Sequence, residues 1–527
     1  MLLYIVSMLA QNNKEHLKLL FFILFLLGGQ ILSAQEKGFL SIFEDCQNMS
    51  LKPCDITETQ DGDFLIIANE DGGTKTKILK LDAGGALVRE VVIAAQDTTL
   101  KLFNMYPTRE DLHNGELYKT VGTCSPVEGG RAAIITVWID NELNVSRRMI
   151  ESIEFADHPI FASRFMGKED GVVVSLIFDG DSGKEFFLAR LSSDGEIIRY
   201  EECDTDSLLF VANLFPVHGE QDKIGMFALT SNSSQARSGV LVFDSLLMHE
   251  RSVFFPRWEA FASGHVLWSY VNADECMMIP VPEGNYVLSS KLWGKEILPN
   301  GTLIQEDRSV ILAKVDENFE MLHDSVIIEH FNDSIEIPAP FKSVAFTEDG
   351  YLYQCSNGNV IYPNSLYKSG LHLIITKTDM DLDVVWQKRY LRDGSAYGAF
   401  TSSATTDGGF IVTGTRYNFN VDNRLDIFVL KINADGTVGT DEITIVDEVK
   451  VYPNPSNNMF NIRTGVTMKQ PYNAQMEVYD MSGRLVHRQE ITENVTAINA
   501  ETWPAGMYVW KMISNGKEVE NGKWIKE

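Results

Sequence analysis

A chain of 527 residues is too long for one ordinary hydrophobic core and should divide into two or more domains. Its 44% apolar and 22% charged residues are ordinary for a soluble globular protein. A net charge of −28 argues against nucleic-acid binding, because phosphate contacts need a basic footprint.

The N-terminal segment stands apart from the fold. Lys14 and Lys18 precede an apolar run over 19–27, and Leu32-Ser33-Ala34 places a small residue at a cut. This pattern predicts a secretory signal peptide over 1–34, with Gln35 as the first mature residue and Met8 as an alternative start. The run is short for a membrane span of about 20 residues. No later segment is apolar enough to cross a bilayer, so no transmembrane segment is expected after cleavage.

Six cysteines follow, an even number for an exported chain: Cys46, Cys54, Cys124, Cys203, Cys276 and Cys355. Only Cys46 and Cys54 are close in sequence, and a disulfide between them would staple the start of the fold. The others sit in apolar surroundings and read as buried small residues. No CxxC pair exists, so neither a metal site nor a cofactor is expected.

Residues 39–445 read as copies of one cassette. The last is the clearest: Asp407-Gly408-Gly409 and an apolar run to Gly414, a polar loop, Asp426–Ile432, then Asn433-Ala434-Asp435-Gly436. The first, third and sixth copies centre on Asp61-Gly62, Asp170-Gly171 and Asp349-Gly350. Weaker copies start near Glu128-Gly129-Gly130, Gln221-Asp222-Lys223 and Glu283-Gly284-Asn285. Asp-Gly and Gly-Gly supply the positive φ of tight turns, and the β-branched and aromatic runs between them are strands. Four antiparallel strands per cassette predict an all-β fold, a β-propeller of seven four-stranded blades over 35–446.

Within the repeat, recognised chemistry is scarce. The Asp-Gly-Gly turns lack the flanking Ser and Trp of a sialidase Asp-box, which leaves hairpin punctuation. Asp379-Met380-Asp381-Leu382-Asp383 alternates carboxylates like a calcium loop but lacks the later Gly and Glu, and it falls where other copies place a turn. The histidines show no metal spacing, and no Gly-x-Ser-x-Gly elbow anchors a triad.

The departure from this pattern lies in loops between the second and third strands, long in three consecutive copies: 292–309, 355–370 and 416–426. An aromatic connection precedes them, with Phe254, Phe255, Trp258, Phe261, Trp268 and Tyr270. Aromatic faces beside polar loops suit a glycan or protein ligand, and the candidate binding residues are Trp258, Trp268, Trp293, Arg308, Tyr362, Tyr367, Tyr417 and Arg424. The competing reading is that the aromatics pack between blades. A glycan-cleaving hydrolase or lyase would instead use Glu296, Glu306, Asp307 or Asp426, and a structural role in a surface assembly is the third reading. Asp-Ser-apolar tripeptides at Ser207, Ser245, Ser325 and Ser334 are similar to the O-glycosylation acceptor of Bacteroidetes exported proteins, or are simple turns.

The last segment changes character. Residues 450–527 carry nine basic and eight acidic side chains, so almost all of the net charge lies ahead of them. After a short polar joint at 447–449, strands alternate as in a small β-sandwich. Three stretches stand out: Tyr452-Pro453-Asn454-Pro455, then 478–486 with Asp480 and Gly483, then 504–510 with Gly506 and Tyr508. Their order resembles the C-terminal sorting domain of the type IX secretion system. The resemblance implies an immunoglobulin-like fold over 447–527 and export through the periplasm and outer membrane to the cell surface or medium. It also implies the type IX machinery as partner, and removal of the domain with release or attachment to surface lipopolysaccharide.

Overall fold

The computed structural model describes residues 38–527 apart from 45–50, 71–72, 95–97, 108–116, 127–131, 141, 153–159, 169–170, 181–182, 204–207, 221, 233–234, 256–264, 269–276, 298–302, 329–335, 359, 361–370, 393, 420–424, 440–443, 448–449, 464–473, 493–494 and 515–516. Seven antiparallel sheets lie between 39 and 447, and two more follow. Five of the seven are built from consecutive chain, over 51–94, 98–152, 160–202, 208–254 and 265–328, and the sixth, over 337–391, gains one strand from 444–447. The seventh joins Ser395–Ala404, Phe410–Asn418 and Leu425–Ile432 to Phe39–Phe43 from the other end of the repeat. The first strand of blade 1, Leu51–Glu58, neighbours both Thr98–Pro107 of blade 2 and Ser395–Ala404 of blade 7. The ring is closed, and the fold is a seven-bladed β-propeller.

Packing explains why the cassette was legible. A middle strand is covered on both faces by neighbouring blades, so Phe64–Glu70 is buried at every position but its last and reads as an unbroken apolar run. The outermost strand Leu87–Ala94 is mostly exposed. One apolar cluster fills each gap: Phe64 and Ile66 meet Ile411 and Val429 between blades 1 and 7, and Tyr353 and Ile375 meet Phe410 and Phe428 between blades 6 and 7. The Tyr353 and Phe410 rings stack with centroids 4.9 Å apart.

The turn between the third and fourth strands recurs in every blade. Asp82 Oδ1 accepts from the N–H groups of Gly84 and Ala86, and Asp140, Asp244, Asp316 and Asp379 repeat this bonding in their own turns. Asp379–Asp383 is therefore one of these turns. The residue three places on has positive φ in each copy: Gly85, Leu143, Gly195, Leu247, Phe319, Leu382 and Gly436. At Gly85 a Cβ would lie 2.3 Å from the Phe39 ring. Where Leu or Phe stands instead, its buried side chain enters the cluster with the preceding blade, as Leu247 and Phe319 do. Packing offsets the cost of the left-handed backbone there.

Three expectations need correction. Glu128-Gly129-Gly130 lies between the second and third strands of blade 2, Leu117–Pro126 and Ala133–Asp140, so that copy is out of register. Its first and second strands, Thr98–Pro107 and Leu117–Pro126, pair on either side of 108–116, which lie outside the described residues. The joint after the repeat is shorter than expected, because Thr444–Asp447 pairs with the outermost strand of blade 6, Val384–Leu391. Finally, Cys54 is a free buried thiol, not half of a bridge to Cys46, which lies outside the described residues. Its Sγ donates to Leu102 O at 3.1 Å and accepts from Asn69 Nδ2 at 3.2 Å. Cys124, Cys203 and Cys355 are also buried free thiols.

Residues 450–526 form two facing sheets, Lys450–Tyr452, Met459–Arg463 and Val495–Asn499 against Leu485–Ile491, Ala474–Asp480, Gly506–Ser514 and Lys517–Lys526. Phe460, Val478, Trp510 and Trp524 lie in their core. The Tyr452–Pro455 stretch is fastened to the last strand: Asn454 Nδ2 donates to Lys523 O, Ile525 N donates to Asn454 Oδ1, and Trp524 Nε1 donates to Pro453 O.

Candidate ligand-binding face

Antiparallel order decides which loops share a face of the ring. Turns joining first to second and third to fourth strands lie on one face. Connections between blades, and between second and third strands, lie on the other. The first face is tied together blade to blade. Glu58 accepts from Thr406 N at 2.7 Å and Thr406 Oγ1 at 2.8 Å across the closure, and Arg199 Nε donates to Leu246 O at 2.7 Å.

The second face carries the candidate site. In blade 5 the second and third strands run Tyr286–Ile297 and Leu303–Val315, against 7 residues each for Phe64–Glu70 and Lys75–Leu81 in blade 1. The predicted long loop over 292–309 is thus largely hairpin, paired from Leu292 opposite Ser309 to Ile297 opposite Leu303. The inner strand of this blade is split. Met277–Pro280 pairs with the lower part of the hairpin, and His265–Trp268 pairs with its extension.

This register brings three predicted residues together. Trp268 stands opposite Trp293, and Trp293 stands opposite Arg308. Val266 lies opposite Lys295 and Lys295 opposite Glu306, while Leu267 lies opposite Gly294 and Gly294 opposite Asp307. Glu296 lies opposite His265.

The other candidates scatter. Trp258, Tyr362, Tyr367 and Arg424 lie outside the described residues. Tyr417 is half-buried, with its ring 4.9 Å from that of Phe419, and it packs against Ile337 and Leu371. Beside it, Arg416 donates to Asp426 Oδ2 from Nη2 at 2.5 Å and Nε at 3.1 Å, with both side chains buried. Asp426 is therefore the partner of a buried cation, which removes it from the carboxylates open to acid–base work. Phe255 packs on Phe227 between blades 4 and 5. Of the serines in acceptor-like tripeptides, Ser245 is exposed in the blade 4 turn and Ser325 is half-buried in a strand; Ser207 and Ser334 lie outside the described residues.

Two arrangements had no signal in the sequence. Near the ring axis, Lys342 pairs with buried Asp55 although 287 positions separate them, and Ser402 Oγ donates to Lys342 O at 2.6 Å. In addition, three asparagine amides bridge neighbouring blades like peptide groups. Asn69, Asn213 and Asn357 each donate to a backbone carbonyl and accept from the N–H of the same residue, Leu102, Met278 and Ala399 respectively.

Charge is held in ion pairs. Hydrogen bonds from Arg251 and then Lys223 pull the Glu220 carboxyl down to about 2. Burial works to raise Asp407, but Lys431 and Thr405 outweigh it and hold that carboxyl below its ordinary range. Burial pushes the Cys203 thiol up to about 12. Among the described residues no group of three or more His, Cys, Asp or Glu gathers for a metal ion, and no helix is long and apolar enough to cross a membrane.

Residues 450–527 match the family described as the secretion system C-terminal sorting domain. This is the type IX sorting domain, and it marks the chain for export across the outer membrane to the cell surface or medium. No curated protein matches the chain. Among solved structures, the polysaccharide lyase Uly1 is 7% identical with a TM-score of 0.43, covering 76% of this chain and 98% of that one. The β-propeller domain of the Trilobed protease from Pyrococcus furiosus is 11% identical with a TM-score of 0.34, covering 75% and 96%. The endo-arabinase from Bacteroides thetaiotaomicron is 12% identical with a TM-score of 0.26, covering 50% and 92%. At such identities and scores none of them informs activity.

Proposed function

We propose that the propeller is an extracellular binding module that takes a glycan or protein ligand on the blade 5 hairpin. The observation that carries this reading is the row Trp268–Trp293–Arg308 across three adjacent strands, on the face with the connections between blades. Two tryptophans and an arginine are the residue types that a sugar ring or peptide needs for stacking with directional hydrogen bonds. In this reading residues 1–34 are removed as a signal peptide and residues 35–446 act without the sorting domain. The test is an array of glycans and extracellular proteins probed with the purified chain, then with Trp293→Ala. Binding that survives this substitution unchanged removes the site.

A glycan-cleaving hydrolase or lyase is the second reading, favoured by Glu306 lying in the row beside Trp293 and by Glu296 opposite His265. Turnover of a polysaccharide that is lost in Glu306→Gln or Glu296→Gln would select it over simple binding.

A further inference from the structure

We infer that the outer face of the four-stranded sheet in residues 474–526 is the surface by which the export machinery grips this chain. The strands Leu485–Ile491, Ala474–Asp480, Gly506–Ser514 and Lys517–Lys526 lie side by side in that order. Alternation along Gly506–Ser514 sends Tyr508, Trp510 and Met512 into the core. Met507 and Val509 therefore fall on the other face. The register sets two rows there: Leu485 opposite Tyr479, Tyr479 opposite Val509 and Val509 opposite Lys523 in one, and Met507 opposite Ile525 in the next. Leu485, Met507 and Ile525 are 40%, 38% and 41% exposed, and Met481 in the adjoining turn is 66% exposed.

The same face changes character two residues along the strands. Glu477 lies opposite both Arg488 and Lys511 and pairs with Arg488 at 2.5 Å. An apolar patch with Lys523 on its edge strand and the Glu477–Arg488 pair beside it has the make-up of a recognition surface, with a core to desolvate and a rim to orient.

The machinery is the occupant that the residues themselves select. Val478, Tyr508 and Trp510 in the two stretches marking the sorting domain are accounted for by the core. Met481, Leu485 and Met507 come from those same stretches and keep 66%, 40% and 38% of their surface exposed. Asn454 and Pro453 of the first stretch bond to Lys523, Trp524 and Ile525, so that stretch fastens the edge strand carrying Ile525. The domain marks the chain for export, so a face formed by its marker stretches and left partly open by the fold is assigned to the machinery that reads it.

The test uses the full chain in a type IX-secreting cell, with antibody against the propeller measuring protein in the medium, on the surface and in the periplasm. Met507→Thr with Ile525→Thr keeps residues suited to a strand while removing the apolar pair. Periplasmic retention with a tenfold or greater fall in exported protein is expected, together with an unchanged melting temperature of the purified full chain. Lys511→Gln, on the charged half, is expected to export within about twofold of the unaltered chain. Export of the double variant within twofold of normal overturns the inference. So does a wild-type dimer that the substitutions dissolve, which gives the face to a second copy. A drop in propeller stability in the double variant also overturns it, because the face then packs within the chain. Deletion of 450–527 separates this outcome from failure of the sorting assignment, since a chain exported without those residues needs no such surface at all.

Discussion

Trp268 and Trp293 stand directly opposite each other on neighbouring strands of the extended blade 5 hairpin. A ligand that spans these paired positions should draw on both residues, so their contributions should not be independent. Single alanine substitutions are expected to cost about 1–2 kcal/mol of binding each, and a double-mutant cycle should show coupling of about 0.5 kcal/mol or more. Isothermal titration against the first ligand found on an array measures both. Costs that add within about 0.3 kcal/mol place the two tryptophans on separate contacts.

The Arg416–Asp426 pair tests the boundary between structure and chemistry. Both groups are buried, so removing one leaves the other as an uncompensated charge. Arg416→Met should destabilise the propeller by about 3–5 kcal/mol, and Arg416→Met with Asp426→Leu should recover most of that loss. Denaturant midpoints of the three chains decide it. Any polysaccharide turnover should survive in the double variant, since Asp426 serves Arg416.

How much of this was legible follows from where each contact lies along the chain. Asp61-Gly62, Asp349-Gly350 and Asp407-Gly408 are local turn chemistry, and the strands beside them are buried on both faces, so blades 1, 6 and 7 stood out. Blades 4 and 5 blurred because Asp222 and Glu283 take left-handed positions in their first-to-second turns, where the clear copies place Gly62, Gly350 and Gly408. The Asn69, Asn213 and Asn357 bridges and the Asp55–Lys342 pair join distant segments, and nothing in their neighbours announces them. At the candidate site the residue types Trp293 and Arg308 were readable, but their shared row required a register that only the hairpin supplies.

Stability should fall steeply in acid, and Glu220 contributes to the slope. Arg251 Nη2 lies 2.7 Å from Glu220 Oε1, and Lys223 Nζ lies 2.5 Å from Oε2. The folded carboxyl titrates near 2 against 4.5 for the free group. A depressed carboxyl stabilises the fold above the unfolded value, and that contribution is lost as pH falls from about 4.5 towards 2. Melting temperatures of the chain and of Glu220→Gln should differ at pH 6 and converge by pH 2. A constant gap over that range assigns the effect to packing.

Ring closure rests on five residues supplied by the far end of the propeller sequence. Phe39–Phe43 pairs with the third strand of blade 7, from Phe39 opposite Lys431 to Phe43 opposite Ile427. The Phe39 ring lies 5.9 Å from that of Phe64 in blade 1, and Ser41 Oγ donates to Gly85 O at 2.6 Å. The strand therefore completes blade 7 and locks it to its neighbour in one step. Deleting 38–43 removes apolar side chains worth roughly 1.5–3 kcal/mol each when buried and leaves Leu425–Ile432 as an unpaired edge. Melting is expected at least about 5 °C lower, with self-association visible by light scattering. A synthetic peptide of residues 36–45 should restore the monomer and raise the melting temperature with its concentration, because it binds only the folded ring. A deleted chain that melts within about 2 °C of the full one, indifferent to peptide, shows that the other six blades hold the ring without this strand.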